Sequence, residues 1–185
     1  MAGRLPLKVV LDTETTGLGP AAAVVQVALA YRDPATREVR TWSEVCDPGP
    51  AFYADGRADA AFRVNGLTAA RVAAARKAPV VASELRTRLR RLAAAHGGVE
   101  LRAYHVEFDR AFLAAAPWSL PGPWGACLML EAAAALDPAG RYVRLLEACA
   151  RLGVAFPGRP HDAASDAHAA LLVHEALAER RAVPA

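Results

Sequence analysis

The stretch Lys8-Val9-Val10-Leu11-Asp12-Thr13-Glu14-Thr15-Thr16-Gly17-Leu18 runs apolar, delivers two acids two residues apart, and breaks at glycine. It reads as a strand, and side chains on a strand alternate between faces. Asp12 and Glu14 therefore project from one side, roughly 6 to 7 Å apart along the chain. Two carboxylates so placed suffer repulsion and desolvation that a divalent ion relieves. A single solvated acid at a strand end is ordinary; a pair on one face of an apolar strand points to metal chemistry.

At 185 residues the chain suits one domain, 1–185, with one core. Its 54% hydrophobic content is inflated by alanine. No uncharged apolar run reaches the roughly 18 residues that a membrane helix needs. The opening residues lack an apolar stretch of signal-peptide length, so a soluble, cytoplasmic protein with no membrane partner is expected. Cys46, Cys127 and Cys149 are odd in number and widely spaced, which indicates neither a disulfide framework nor a thiolate zinc site. The net charge of +3 tolerates a polyanion without requiring one. Twenty of the 22 basic residues are Arg, a bias that a GC-rich genome also produces. The densest basic stretch, Arg71 to Arg91, is expected to be a solvated helix face over Leu85, Leu89 and Leu92.

Three extended segments, Lys8–Thr15, Val24–Arg32 and Val39–Asp47, are joined by turn-forming residues and predict an antiparallel meander. Helical patterns follow at about 57–64 and 83–96. A short strand, Val99–Tyr104, then leads into a helix from Phe108 to Ala116, which Pro117 ends. After the proline-rich loop Pro117–Trp124, a weak strand is expected near Gly125–Leu128. Helices are expected at about 129–136, 142–152 and 162–180. Strands first and strand–helix units later describe an α/β domain, a mixed sheet flanked by helices.

Two further acids stand in informative places. Asp109 lies near a helix start just beyond a strand's C-terminal end, where α/β sheets collect ligands, although a capping Asp is the commoner reason for an acid there. Asp166 is spaced at i+4, i+7 and i+11 from Ala170, Val173 and Leu177, which puts a carboxylate on the apolar face of the last helix. No Lys or Arg on that face is placed to pair with it. His161, in the loop entering that helix, is a candidate general base. His96, His168 and His174 are assigned to surface or helix sides. Trp42, Trp118 and Trp124 read as packing anchors more than as base-stacking platforms.

Asp12-Thr-Glu14-Thr-Thr-Gly-Leu, Tyr104-His-Val-Glu-Phe-Asp109 and His161-Asp-Ala-Ala-Ser-Asp166-Ala resemble, in order, the three motifs of the DnaQ-like 3′→5′ exonucleases of the DEDDh branch. Val64-Asn-Gly-Leu-Thr68 and Arg151-Leu-Gly-Val154 agree with softer features of that family. Near Cys127-Leu-Met129 the sequence is more similar to the exonuclease X subgroup than to the oligoribonucleases. The chain departs from the family at Tyr104-His105, where His-Asn is usual.

The resemblance implies an RNase H-like fold with a mixed five-stranded sheet, three antiparallel strands first and parallel additions later. It also implies two divalent cations, Mg²⁺ or Mn²⁺, and hydrolysis of nucleotides from a 3′ end. Asp12, Glu14 and Asp166 would bind the cation that activates water. Asp12 and, directly or through water, Asp109 would hold the second, and His161 would take the proton from the attacking water. Thr15, Thr16, Gly17, Leu18, His105 and Phe108 would lie beside the terminal nucleotide, although Phe108 by itself reads more as core.

The partner expected is nucleic acid with a 3′ end: DNA first, in proofreading or repair-type trimming, with release of nucleoside 5′-monophosphates, and RNA second. A DNA polymerase is a further partner consistent with the resemblance. The chain ends four residues after Arg181, without the longer tail that separate proofreading subunits commonly carry, which favours a freestanding nuclease. A catalytically inactive nucleic-acid-binding module ranks last, since all four acids and His161 are present.

Overall fold

A computed structural model describes residues 5–120 and 123–182. The first four residues, with most of the lead-in to the first strand, two residues of the proline-rich loop and the last three residues lie outside the described residues.

The meander forms as its alternation predicts. β1 (Leu7–Thr15), β2 (Val24–Arg32) and β3 (Val39–Asp47) pair antiparallel in sequence. The mixed sheet is completed by β4 (Arg76–Lys77), parallel to β3, and β5 (Val99–Arg102), parallel to β1, in the order β4-β3-β2-β1-β5. The fifth strand is therefore not the expected one. Gly125–Leu128 makes no strand, and only Trp124 bridges to Leu101. Pro123, just before the bridge, has no N–H to give a ladder. Gly125 is pressed so closely against Arg102 that a Cβ there would meet Arg102 Cδ at 2.6 Å. β4 lacks any sequence periodicity because it is two charged residues long, held by pairing with Cys46 and Asp47 and by the Lys77–Asp47 ion pair.

The helices are α1 (Asp59–Asn65), α2 (Ala69–Ala73), α3 (Ala78–His96), α4 (Val106–Ala114), α5 (Leu128–Leu136), α6 (Leu145–Leu152) and α7 (Ala163–Ala182). α2, which the sequence pattern did not predict, is a single turn capped by the Thr68 side chain, which accepts from Arg71 N at 3.1 Å. α3 begins five residues earlier than expected because Pro79 in its first turn is compatible with a helix start and Val81 and Ala82 are buried. α6 begins later than expected. The chain before it stays extended, with Val143 buried and its carbonyl accepting from Tyr104 Oη at 2.6 Å.

Strand alternation divides the core. Val9, Leu11, Val27 and Leu29 face α3, while Val10, Ala28 and Ala30 face α7 and its neighbours α5 and α6. On that second face, Ala163, Ala167 and Ala170 of α7 meet the small side chains of β2, so helix and sheet approach closely. This contact sets the depth of Asp166 beside β1. No helix among the described residues is long and apolar enough to cross a membrane. The basic stretch is a largely exposed face, as expected, with local partners: Arg86 donates to the carbonyls of Pro117 and Trp118, Arg88 pairs with Glu84 and lies 4.9 Å from the Trp42 ring, and Arg76 pairs with Glu84 and Glu44. Trp118 is a core anchor, as expected. His174, expected on a helix side, is buried, with Nδ1 unpartnered.

Candidate active site

β1 carries Asp12 and Glu14 on the face shared with Val10, opposite Ala28 and Gln26 of β2. The pairing slips by one residue immediately after Glu14, where Thr15 pairs with Val24. Such an irregularity turns the strand end and its side chains away from the ladder, as bulges beside sites commonly do. α4, entered directly from β5, brings Asp109 to the same end of β1, and α7 brings Asp166. With His161 they line one cavity of about 820 Å³. Thr15, Thr16, Gly17, Leu18, His105 and Phe108 line it too, so all eleven residues singled out in the sequence border a single space.

The carboxylates crowd one another. Asp12 is held well above the ordinary carboxylate range by burial, then by the charges of Asp109, Asp166 and Glu14. Burial and the charges of Asp166 and Asp109 push Glu14 up to about 8. Asp109, 3% exposed, is also raised by burial, against which Thr13 Oγ1 donates to its Oδ1 at 2.9 Å. Asp166 is pushed up to about 6, chiefly by burial and less by Asp162. Arg159 in the preceding loop opposes the rise at Asp166. A compensating cation thus comes from the loop, where the sequence pattern offered none on the helix face.

His161 adopts φ 60° and is tied back to α7, its backbone N–H donating to Asp166 Oδ2 at 3.1 Å. Ligand atoms of Glu14, His161 and Asp166 all lie within 4.8 Å of one another. The donor set is carboxylate oxygen plus one imidazole, with carboxylates held in their protonation-prone state for want of positive charge. These residues fit a hard divalent cation such as Mg²⁺ or Mn²⁺.

The apolar wall differs from expectation in one respect. Phe108 is half-buried rather than core: its ring stacks on His105 at 6.1 Å and 18°, and contacts Phe112 at 5.0 Å. Leu18 stands 87% exposed at the rim. The hydroxyls of Thr15 and Thr16 are spent locally, the first donating to Gly17 O at 2.6 Å and the second accepting from Ala23 N at 3.0 Å.

The model of the exonuclease family RNase_T matches residues 9–174. The chain belongs to the RNase_T exonuclease family. No curated protein matches it. Among solved structures, the fold is similar to that of cell-death related nuclease 4, at TM-score 0.75 and 14% identity over 96% of this chain and 65% of that one. A full-length 3′-exonuclease gives TM-score 0.75 and 16% identity over 98% of this chain and 64% of the other. The chain thus spans a little under two thirds of the length of each. The nuclease domain of 3′hExo, a DEDDh family member bound to rAMP, gives TM-score 0.69 and 16% identity over 95% of this chain and 92% of that domain. The fold is the RNase H-like one of these exonucleases.

Several residues of this exonuclease-family site were not singled out in the sequence. Thr13, between the two acids, faces the other way and holds Asp109. Asn65, 1% exposed, opposes the upward push on Glu14, donates to Thr15 O at 3.5 Å and accepts from Leu67 N at 3.0 Å. Gln26 donates to Asp162 Oδ1 at 2.9 Å, tying the start of α7 to β2. Arg57 stands on the cavity wall. Of these, only Asn65 had a signal, the Asn-Gly turn quoted above.

Proposed function

We propose that the chain is a metal-dependent 3′→5′ exonuclease that removes nucleoside 5′-monophosphates from the 3′ end of DNA. The observation that carries this reading is the convergence of Asp12, Glu14, Asp109, Asp166 and His161 on one cavity, beside an apolar wall of Leu18 and Phe108. Divalent cations held by the four carboxylates would supply positive charge to the phosphate and lower the pKa of a bound water.

The chain's own residues do the rest. His161 accepts the proton of the attacking water, and the carboxylates of Glu14 and Asp166 beside it stabilise the resulting imidazolium. Thr13 fixes the Asp109 carboxylate through its hydroxyl. Phe108, backed by His105, offers a ring face to the terminal base, an interaction worth about 1–3 kcal/mol per base, and Leu18 covers it from the rim. A cavity of about 820 Å³ is of a size to take a terminal nucleotide.

A second reading gives His161 a ligand's role, because its ring lies with Glu14 and Asp166 at coordination range of a common point. His161→Ala separates the two: cation affinity holds if His161 is the base and falls if it is a ligand.

DNA is proposed first and RNA second. Among structures of similar fold, exonuclease I of E. coli is described with single-stranded DNA and a 3′-exonuclease with a histone mRNA stem-loop. Side-by-side digestion of single-stranded DNA, duplex DNA and RNA, each with free or blocked 3′ ends, tests the proposal. Preferential release from free 3′ ends of single-stranded DNA supports it, and preferential release from RNA replaces it with the exoribonuclease reading.

A further inference from the structure

We infer that Arg159 is a positioning residue for His161, and that Gly66, which the left-handed turn at the end of α1 already favours, leaves room for its guanidinium. The inference rests on the reading of His161 as general base. At φ 60°, His161 holds a left-handed backbone that residues with a Cβ rarely adopt, so its loop needs restraint from outside. Asp166 restrains it on one side by accepting from its N–H. On the other side the Arg159 guanidinium reaches the His161 carbonyl at 3.5 Å, and the same nitrogen donates to the carbonyl of Asn65. Asn65 in turn is buried against the end of β1, its side chain donating to Thr15 O at 3.5 Å. Arg159 therefore clamps the His161 loop to the end of α1 and, through Asn65, to the strand that carries Glu14.

Gly66 makes room for this clamp. It ends α1 at φ 70°, and a Cβ built there would lie 2.8 Å from the guanidinium carbon of Arg159. A side chain at 66 and Arg159 in its present position exclude each other. The guanidinium also faces the carboxylates of Asp162 and Asp166, whose fields favour its staying inside the loop.

The test is steady-state kinetics of the full chain on a 5′-labelled oligonucleotide, with R159A, R159K, H161A and the R159A/H161A double variant. R159A is expected to lower kcat about 10- to 100-fold with KM unchanged, the scale of a catalytic group displaced by about 1 Å. R159K regains part of the loss, since a point charge reaches one carbonyl but not two. In the H161A background R159A adds nothing, because the effect runs through His161. G66A lowers kcat in the same way, whereas G97A, also left-handed at φ 74° but with open space around it, does not.

An R159A effect that persists without His161, or one confined to KM, overturns the inference. A readout independent of cleavage is the His161 imidazole NMR signal, assigned by its loss in H161A. R159A should shift and broaden it, and an unchanged signal also overturns the inference. A shifted signal in a chain that cuts no oligonucleotide leaves the clamp standing and removes the nuclease reading alone.

Discussion

At Asp12 the demands of folding and of chemistry oppose each other. Its carboxylate is raised by burial and by the charges of Asp109, Asp166, Glu14 and Asp162, so in the metal-free protein it is a source of instability. Asp12→Asn keeps the shape and removes the charge. It should abolish hydrolysis and weaken Mn²⁺ binding while raising the melting temperature of the metal-free chain at pH 8; calorimetry with and without cation reads both. Thr13→Val removes the hydroxyl that donates to Asp109. A hydrogen bond to a charged group is worth about 1.5–3 kcal/mol, so the variant should bind cation more weakly and need a higher pH for half-maximal binding. Unchanged cation affinity across pH 6–9 would contradict the assignment of Asp109. His161→Ala should slow turnover by about 10²–10⁴-fold. Near-normal turnover would remove His161 from its role.

At the scale of elements, the site depends on how closely α7 lies on the sheet. Ala28 pairs with Asp12 across the β1–β2 ladder and packs among the alanines of α7. Ala28→Leu should cost about 1–3 kcal/mol of stability through overpacking and should lower kcat by lifting Asp166 away from β1. A destabilised variant with unaltered kcat would show that helix depth does not control the site. Elements with a strong period were legible in the sequence: β1, β2 and β3 matched their expected spans within a residue, and α7 was missed by a residue or two at its ends. What periodicity does not carry was not legible. β4 is two residues held by tertiary pairing, and α2 is one turn defined by its cap. Asp166 stood out because an acid on an apolar helix face is anomalous; Asp109, in a place where capping acids are common, stood out only through the motif it shares with the resembled family. Thr13 and Gln26 did not, since a Thr or Gln in a strand is unremarkable until its partner across the fold is known.

For the whole molecule, the four raised carboxyls couple stability to pH and to cations. In the unfolded chain such groups titrate near pH 4. In the fold, Asp166 and Glu14 titrate near 6 and 8, and Asp12 and Asp109 are raised as well. Between about pH 4 and 8 the folded state therefore binds more protons than the unfolded one, and stability falls as pH rises through that window. The metal-free chain should melt several degrees lower at pH 8 than at pH 5, and saturating Mg²⁺ or Mn²⁺ should remove most of the difference. Cation binding at pH 7 should release protons, visible as a buffer-dependent calorimetric heat. A metal-free melting temperature that rises from pH 5 to pH 8 would be incompatible with a buried carboxylate cluster.

Cation-dependent removal of nucleotides from a 3′ end is read most directly by a time course on a 5′-labelled single-stranded oligonucleotide resolved on a sequencing gel. Removal from the 3′ end gives a ladder shortening one nucleotide at a time in Mg²⁺ or Mn²⁺, absent with chelator and absent for Asp12→Asn. Immediate release of the labelled 5′ nucleotide, internal cuts, or an uncut oligonucleotide that is nonetheless bound would contradict it.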